Sequence, residues 1–261
     1  MKVLTCNIRY EAANDGDDSW CNRRDYASDV IRQQCADIIC FQELSAGQCD
    51  YMRQAMPEMG VYGLVDEALG HNPTNAIFYR LSAFGLIAPG GYWLSETPHI
   101  TGSSSWESAC VRLCNWLRLE HRESGRELRI LNTHLDHVNQ RAREQQARVI
   151  IEDTMAFPDD YVQILTGDMN CDANNPAMIR VALAGWRDTF AELYGPDDPG
   201  PTFHGFRGPD STSDLTKIDF ILARGDVTVS RSEIIRDHGT KVDGSPRYPS
   251  DHYFVTATFK F

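Results

Sequence analysis

The chain has 261 residues, 42% hydrophobic and 24% charged, which is long enough to bury a substantial core and balanced as a globular protein rather than a disordered one. Its 25 basic and 37 acidic residues leave a formal net charge of −12, which argues against the basic footprint of a duplex-DNA binder. No apolar run approaches the roughly 18 residues of a membrane span, and the amino terminus has no apolar secretory core, so a cytoplasmic location is expected.

In chain order, residues 2–8 read as a strand that delivers Asn7 and Arg9 to one face beside Tyr10. The acidic loop Asn14-Asp15-Gly16-Asp17-Asp18 lacks full calcium-loop spacing and reads as solvated. A helical period over 22–35 is opened by Arg23 and Arg24, and an apolar strand over 37–43 ends in Glu43. A helix over 46–56 closes at Pro57. A loop with His71 and Asn72 then leads into a strand over 75–80.

The section around Pro89-Gly90-Gly91 reads as turns and 101–105 as a loop, with no compositional break that would divide residues 1–261 into more than one domain. Residues 111–121 and 127–133 bracket Glu123-Ser124-Gly125-Arg126 as a hairpin that runs into Asn132-Thr133-His134-Leu135-Asp136-His137. A long helix over 139–154 carries Arg141, Arg143 and Arg148. Arg141 is a candidate contact for a substrate anion, whereas Arg143 and Arg148 fit a solvated face better. A strand over 162–168, a helix over 176–184, a surface loop over 195–201, and strands over 217–222 and 254–261 complete the pattern. Asp219 lies between Ile218 and Phe220 and needs a partner if buried. His71, His137 and His204 divide evenly between substrate contact and loop decoration.

The eight cysteines are scattered, and Cys6 and Cys40 sit in apolar runs, so reduced, hydrophobe-like thiols are expected. Cys110-x-x-x-Cys114 lacks the second pair that structural zinc requires.

The most informative stretch is Ile164-Leu165-Thr166-Gly167-Asp168-Met169-Asn170. If the strand continues through Asn170, Asp168 and Asn170 share one face. A carboxylate beside a neutral amide suits phosphate chemistry: the acid holds a cation or takes a proton, and the amide orients a nucleophile without repelling the anion.

Together with Asn7, Gln42-Glu43, Thr133-His134-Leu135, Lys217-Ile218-Asp219-Phe220 and Ser250-Asp251-His252, this stretch resembles, in order and approximate spacing, the endonuclease/exonuclease/phosphatase (DNase I-like) superfamily. Trp93-Leu94-Ser95-Glu96-Thr97-Pro98, His134-Leu135-Asp136-His137 and Thr202-Phe203-His204-Gly205-Phe206 resemble a bacterial branch of it. The resemblance implies an α/β fold, a four-layered sandwich of two packed mixed β-sheets flanked by helices, with the active site at one end of the sheets.

It also implies metal-assisted phosphoester hydrolysis. Glu43 would be the principal ligand for Mg²⁺ (Mn²⁺ or Ca²⁺ as alternatives), with Asp251 as a further ligand. Asp168 would position or deprotonate water, and Asn170 and Asn7 would donate to that water or to a phosphate oxygen, Asn7 doubling as a ligand. Asp219 would fix His252, and His252 and His134 would contact non-bridging oxygens. Arg112 stands where the family often places a phosphate contact, and Arg9 stands where abasic-site endonucleases carry an acid, which makes it a candidate phosphate contact instead.

The leading reading is a hydrolase of a small phosphorylated compound, a phosphomonoester or short phosphodiester such as a phospho-sugar or headgroup. Its rivals are a DNA or RNA nuclease and a catalytically inactive phosphate-binding module. A bowl edged by Arg23, Arg24, Arg141 and aromatic side chains would favour the small ligand, and a long groove the polynucleotide.

Overall fold

In the computed structural model, which describes residues 1–63, 65–66, 72–73, 75–211 and 216–260, the chain opens with β1 (Lys2–Asn7). Strand alternation sends Val3 into one apolar core, and Leu4 and Cys6 into another. Helix α1 (Trp20–Gln33) crosses over to β2 (Ile38–Gln42), parallel to β1. Next come α2 (Ala46–Ala55), opened by the Ser45/Gln48 capping box, then β3 (Met59–Tyr62), the short β4 (Val65–Asp66) and β5 (Asn72–Pro73), and β6 (Ile77–Arg80).

Strands β7 (Phe84–Trp93), β8 (Leu113–His121) and β9 (Glu127–His134) form a meander. Helix α3 (Gln140–Thr154), capped by the Asn139 side chain, crosses over to β10 (Gln163–Asp168), parallel to β9. Then follow α4 (Pro176–Leu183), β11 (Arg187–Asp188), α5 (Thr189–Tyr194), β12 (Asp219–Arg224), β13 (Thr228–Ile235), the small β14 (Gly239–Thr240) and β15 (Pro246–Arg247), and β16 (Phe254–Lys260).

Two six-stranded mixed sheets result, in the orders β13-β16-β1-β2-β6-β3 and β11-β12-β10-β9-β8-β7. Each has a parallel pair at its heart, made by one strand–helix–strand unit and flanked by antiparallel neighbours. Apolar packing fills three seams. Val3, Cys40, Ile130 and Ile164 meet between the sheets, Val30, Phe41 and Met52 lie under α1 and α2, and Leu131, Ile150 and Met178 lie under α3 and α4. Three seams make four layers, the expected DNase I-like sandwich.

Several local expectations are corrected. Pro89-Gly90-Gly91 lies inside β7, not in a turn. This strand is the edge of its sheet, where the missing proline N–H is tolerated. A Cβ on Gly90 would lie 2.3 Å from the Trp116 ring, so the glycine makes room for a cross-strand indole. The acidic loop is tied down rather than merely solvated: Asp15 accepts two hydrogen bonds from the Arg9 guanidinium at 3.1 and 3.0 Å, and Asp18 pairs with Lys241 at 2.7 Å. Lys241 is remote in sequence and Arg9 reaches Asp15 only through the bend after β1, so the loop's own pattern did not reveal them. Strands β3, β11 and β13 and helix α5 were not anticipated either. The eight cysteines are free thiols, with Cys6 and Cys40 buried. His71 lies outside the described residues. No described helix is long and apolar enough to cross a membrane.

Candidate active site

Along the inner faces of the two sheets the chemistry changes pleat by pleat. Beyond the apolar seam comes a layer of fully buried polar side chains, Thr5, Gln42, Asn132 and Thr166. Gln42 Nε2 donates to Asn132 Oδ1 at 2.6 Å and to Thr5 Oγ1 at 3.0 Å. Asn132 Nδ2 donates across the seam to the carbonyls of Phe41 (2.7 Å) and Ala76 (3.1 Å). Buried amides are stable only when paired, so this layer clips the sheets in one register. One step nearer the strand ends stand Asn7, Glu43, His134 and Asp168.

Asp168 is the hub. Its Oδ2 accepts from Asn7 Nδ2 at 3.0 Å, and lies 3.3 Å from His134 Nε2 and 3.8 Å from His252 Nε2. The preceding Gly167 is required by close approach, because a Cβ there would lie 2.2 Å from the Thr133 carbonyl oxygen. The expectation that Asp168 and Asn170 share a strand face is corrected. The strand ends at Asp168, and Asn170 turns into the left-handed region (φ +50°). There its backbone N–H donates to Asp168 Oδ1 at 2.9 Å and its side chain donates to the Leu135 carbonyl at 2.9 Å. A turn that hydrogen-bonds its own aspartate fixes the carboxylate more tightly than a continued strand would. Burial and then Asp219 push the Asp168 pKa up to about 7.

Glu43 leaves β2 in the same left-handed conformation (φ +58°). Asn7 Nδ2 also donates to its Oε1 at 3.2 Å, so one amide bridges the acids of the two sheets, and Glu43 Oε2 accepts from the Tyr10 N–H at 3.2 Å. The Asn7 oxygen accepts from the Arg9 N–H at 3.0 Å, which leaves its second lone pair for the expected ligand role. Asp251 is buried, and its pKa is raised first by that burial and then by Glu43. A buried carboxylate whose proton affinity a neighbouring acid raises is part of the hard-oxygen setting that a divalent cation relieves. Asp168, Asp219 and His252 also offer ligand atoms within 4.8 Å of one another. A cation there would compete with the 2.9 Å hydrogen bond between His252 Nδ1 and Asp219 Oδ2. Glu43 with Asp251 is therefore the better-fitting pair.

His252 and His134 differ sharply. Burial opposes charge on His252, but Asp219, followed by Asp168 and Asp251, more than offsets it, and the pKa rises to about 10. This hydrogen bond is the partner that the buried Asp219 needed. Burial drives His134 well below the ordinary imidazole value, helped by Arg112, His252 and His137, so its ring is neutral. Arg112 lies on the same wall, with Nη2 3.2 Å from His137 Nδ1.

These groups open on a cleft of about 760 Å³ lined by Arg9, Tyr10 and Glu11, which follow β1 of one sheet, and by Arg112, His134 and His137, which flank β8 and β9 of the other, with Phe203 against His252. The arginines expected at its edge are elsewhere. Arg23 is fully buried, bracing the carbonyls of Asp18, Pro249 and Arg9. Arg24 lies over the Tyr51 ring, and Arg141 is exposed on α3, apart from the residues that line the cleft. Arg9 does line it, but Asp15 holds its guanidinium. His204 is fully buried beside the Tyr248 and Tyr253 rings and makes no part of the wall. Lys217 is buried on Asp188 at 2.7 Å and braces β12 from behind. Sequence reasoning missed Glu11 and Phe203 as wall residues. Both come from loops whose course is set by tertiary hydrogen bonds; Glu11 carries no local signal, and Phe203 lies within a stretch singled out only by its resemblance.

Comparison with known proteins agrees with this geometry. No curated protein sequence matches the chain. A mannosyl-6-phosphatase of Bacteroides thetaiotaomicron superposes with a TM-score of 0.89 at 26% identity, over 100% of both chains. An endonuclease/exonuclease/phosphatase from Bacteroides vulgatus does so at 0.86 and 26% identity, over 100% of this chain and 98% of that one. The D. rerio TDP2 complexed with single strand DNA product shares the fold, at 0.77 and 18% identity over 100% and 99% of the two chains. Residues 4–252 match the Endonuclease/Exonuclease/phosphatase family, and the chain belongs to that family of phosphoester hydrolases.

Proposed function

We propose that the chain is a divalent-metal-dependent phosphatase that releases phosphate from a small phosphorylated compound, with a sugar phosphate as the best-fitting class. One observation carries this reading: the Asn7 amide joins Glu43, the proposed cation ligand, to Asp168, the proposed acceptor of the water proton, in the lining of the cleft. A cleft of about 760 Å³ falls within the range of small-molecule sites, roughly 300–1,000 Å³. The similarity to a mannosyl-6-phosphatase supports the same substrate class.

Glu43 and Asp251 would hold the ion, for which Mg²⁺ or Mn²⁺ is the natural choice with carboxylate ligands. When bound, it supplies charge neutralisation at the phosphate. Asp168, with its pKa near neutrality, takes the proton of the attacking water as the new P–O bond forms, and Asn7 orients that water. The imidazolium of His252, fixed by Asp219, and the guanidinium of Arg112 stabilise the charge that builds on the non-bridging oxygens. The P–O bond to the leaving group breaks, the departing alkoxide takes a proton from solvent water in the open cleft, and Asp168 returns its proton to solvent. Neutral His134 donates a hydrogen bond without competing with Asp168 for charge.

A polynucleotide would bring further phosphates to a cleft whose Arg9 is committed to Asp15 and whose lining also carries Glu11. The test is phosphate release from a panel of small phosphomonoesters with Mg²⁺ or Mn²⁺, run beside plasmid nicking. Metal-dependent release that Asp168→Ala abolishes is expected. Nicking without release would establish the nuclease reading instead, and equal inactivity of wild type and Asp168→Ala with metal still bound would establish a binding module.

A further inference from the structure

The loop that follows β1 is held at nearly every residue. Arg9 adopts a left-handed conformation (φ +57°) and donates its N–H to Asn7. Its carbonyl accepts from Arg23 Nη2 at 2.9 Å and Gln48 Nε2 at 2.8 Å, and its guanidinium is gripped by Asp15. The Tyr10 N–H donates to Glu43. The Glu11 carboxylate lies against the first turn of α2, where a Cβ on Gly47 would meet its oxygens at 2.6 and 2.8 Å. Gly47 therefore leaves the space that this carboxylate fills, and the helix N-terminus is a favourable place for its charge. Despite these anchors, Tyr10 is 44% exposed and Glu11 is exposed, and both face the cleft.

A left-handed non-glycine residue is costly and persists only where its surroundings enforce it. Here that enforcement fixes an aromatic ring and a carboxylate at a set offset from Glu43. An ionised carboxylate only accepts hydrogen bonds. Arg112, His134 and His137 line the same cleft from beside β8 and β9, in the other sheet from the β1 that leads into this loop. What lies against Tyr10 and Glu11 must then be the other end of the substrate, and it must donate hydrogen bonds while presenting an apolar face to a ring. Vicinal hydroxyls on a sugar or polyol ring do both.

We infer that Tyr10 and Glu11 form a preorganised subsite for a polyhydroxylated leaving group and set the enzyme's preference for sugar phosphates over simple aryl phosphates. The subsite rests on the phosphatase reading above. Because the loop is already ordered, binding there carries little conformational cost.

The test compares kcat/KM for a hexose 6-phosphate, a nucleoside monophosphate and 4-nitrophenyl phosphate in wild type, Glu11→Gln, Glu11→Ala and Tyr10→Ala. In wild type the hexose phosphate is expected to be preferred. Glu11→Ala should lower the ratio of hexose to nitrophenyl kcat/KM by about tenfold to a hundredfold, through KM, as for a lost hydrogen bond to a charged group. Tyr10→Ala should lower the same ratio less. An unchanged ratio, or preference for 4-nitrophenyl phosphate in wild type, overturns the subsite while leaving the phosphatase reading in place. Wild type that releases phosphate from none of the three substrates in Mg²⁺ or Mn²⁺ overturns both.

Discussion

The β1–α1–β2 and β9–α3–β10 units have the same architecture and opposite chemistry. Each makes the parallel pair at the centre of its sheet, and each exit at the site end uses a left-handed residue, Glu43 in one and Asn170 in the other. The first delivers a partly exposed carboxylate beside Asp251, and the second delivers a deeply buried Asp168 beside His134. Partial exposure leaves Glu43 room for a hydrated cation, whereas burial raises the proton affinity of Asp168 to the range a general base needs. In the proposed mechanism the same strand–helix–strand frame serves two tasks, and the Asn7 amide joins the two acids that would carry them.

The largest expected effects fall on the buried half. Asp168→Asn keeps the shape of the hub but removes the proton acceptor, so kcat should fall about 10²-fold or more. His252→Ala should cause a comparable loss by removing the cation opposite the phosphate. Steady-state phosphate release on folded protein measures both. Glu43→Gln should act differently: the metal concentration for half-maximal activity rises about tenfold or more while much of kcat returns at saturation, because a neutral amide remains a weak oxygen ligand.

A smaller effect is expected at the clip. Asn132→Leu abandons two carbonyls and the Gln42 amide in a dry seam and should cost about 1–3 kcal/mol of stability, read by urea unfolding. The smallest is the pH dependence of metal-free stability. Asp168 and His252 both bind protons more tightly folded than unfolded. Their contributions are therefore whole at low pH and are lost as pH rises, through Asp168 between about 3.8 and 7 and through His252 between about 6.5 and 10. Asp219→Asn should flatten the upper part of that slope.

The motif residues were legible because they sit at strand ends, where period-two alternation and a following turn fix both position and direction. Asp219 announced itself as an acid between apolar neighbours, and its histidine partner followed. What the sequence concealed depends on partners that only the folded chain brings together. Asp15 reads as solvent-facing until Arg9 reaches it, and Gln42 and Asn132 read as ordinary strand residues until the sheets face each other. Gly90 reads as a turn until the Trp116 indole lies across it. Arg23 and Arg141 show the converse: a helix's charge pattern does not tell which arginine is buried beneath a loop and which faces water.

The division of tasks between the two units is tested most directly by titrating Mn²⁺ into wild type, Glu43→Gln and Asp168→Asn, with binding followed by electron paramagnetic resonance and turnover measured on the same samples. The expected result is that Asp168→Asn binds the ion nearly as wild type does yet is inactive, while Glu43→Gln binds it weakly and regains turnover at high metal. Loss of binding in Asp168→Asn with wild-type affinity in Glu43→Gln would contradict this, and would place the ion among Asp168, Asp219 and His252 instead.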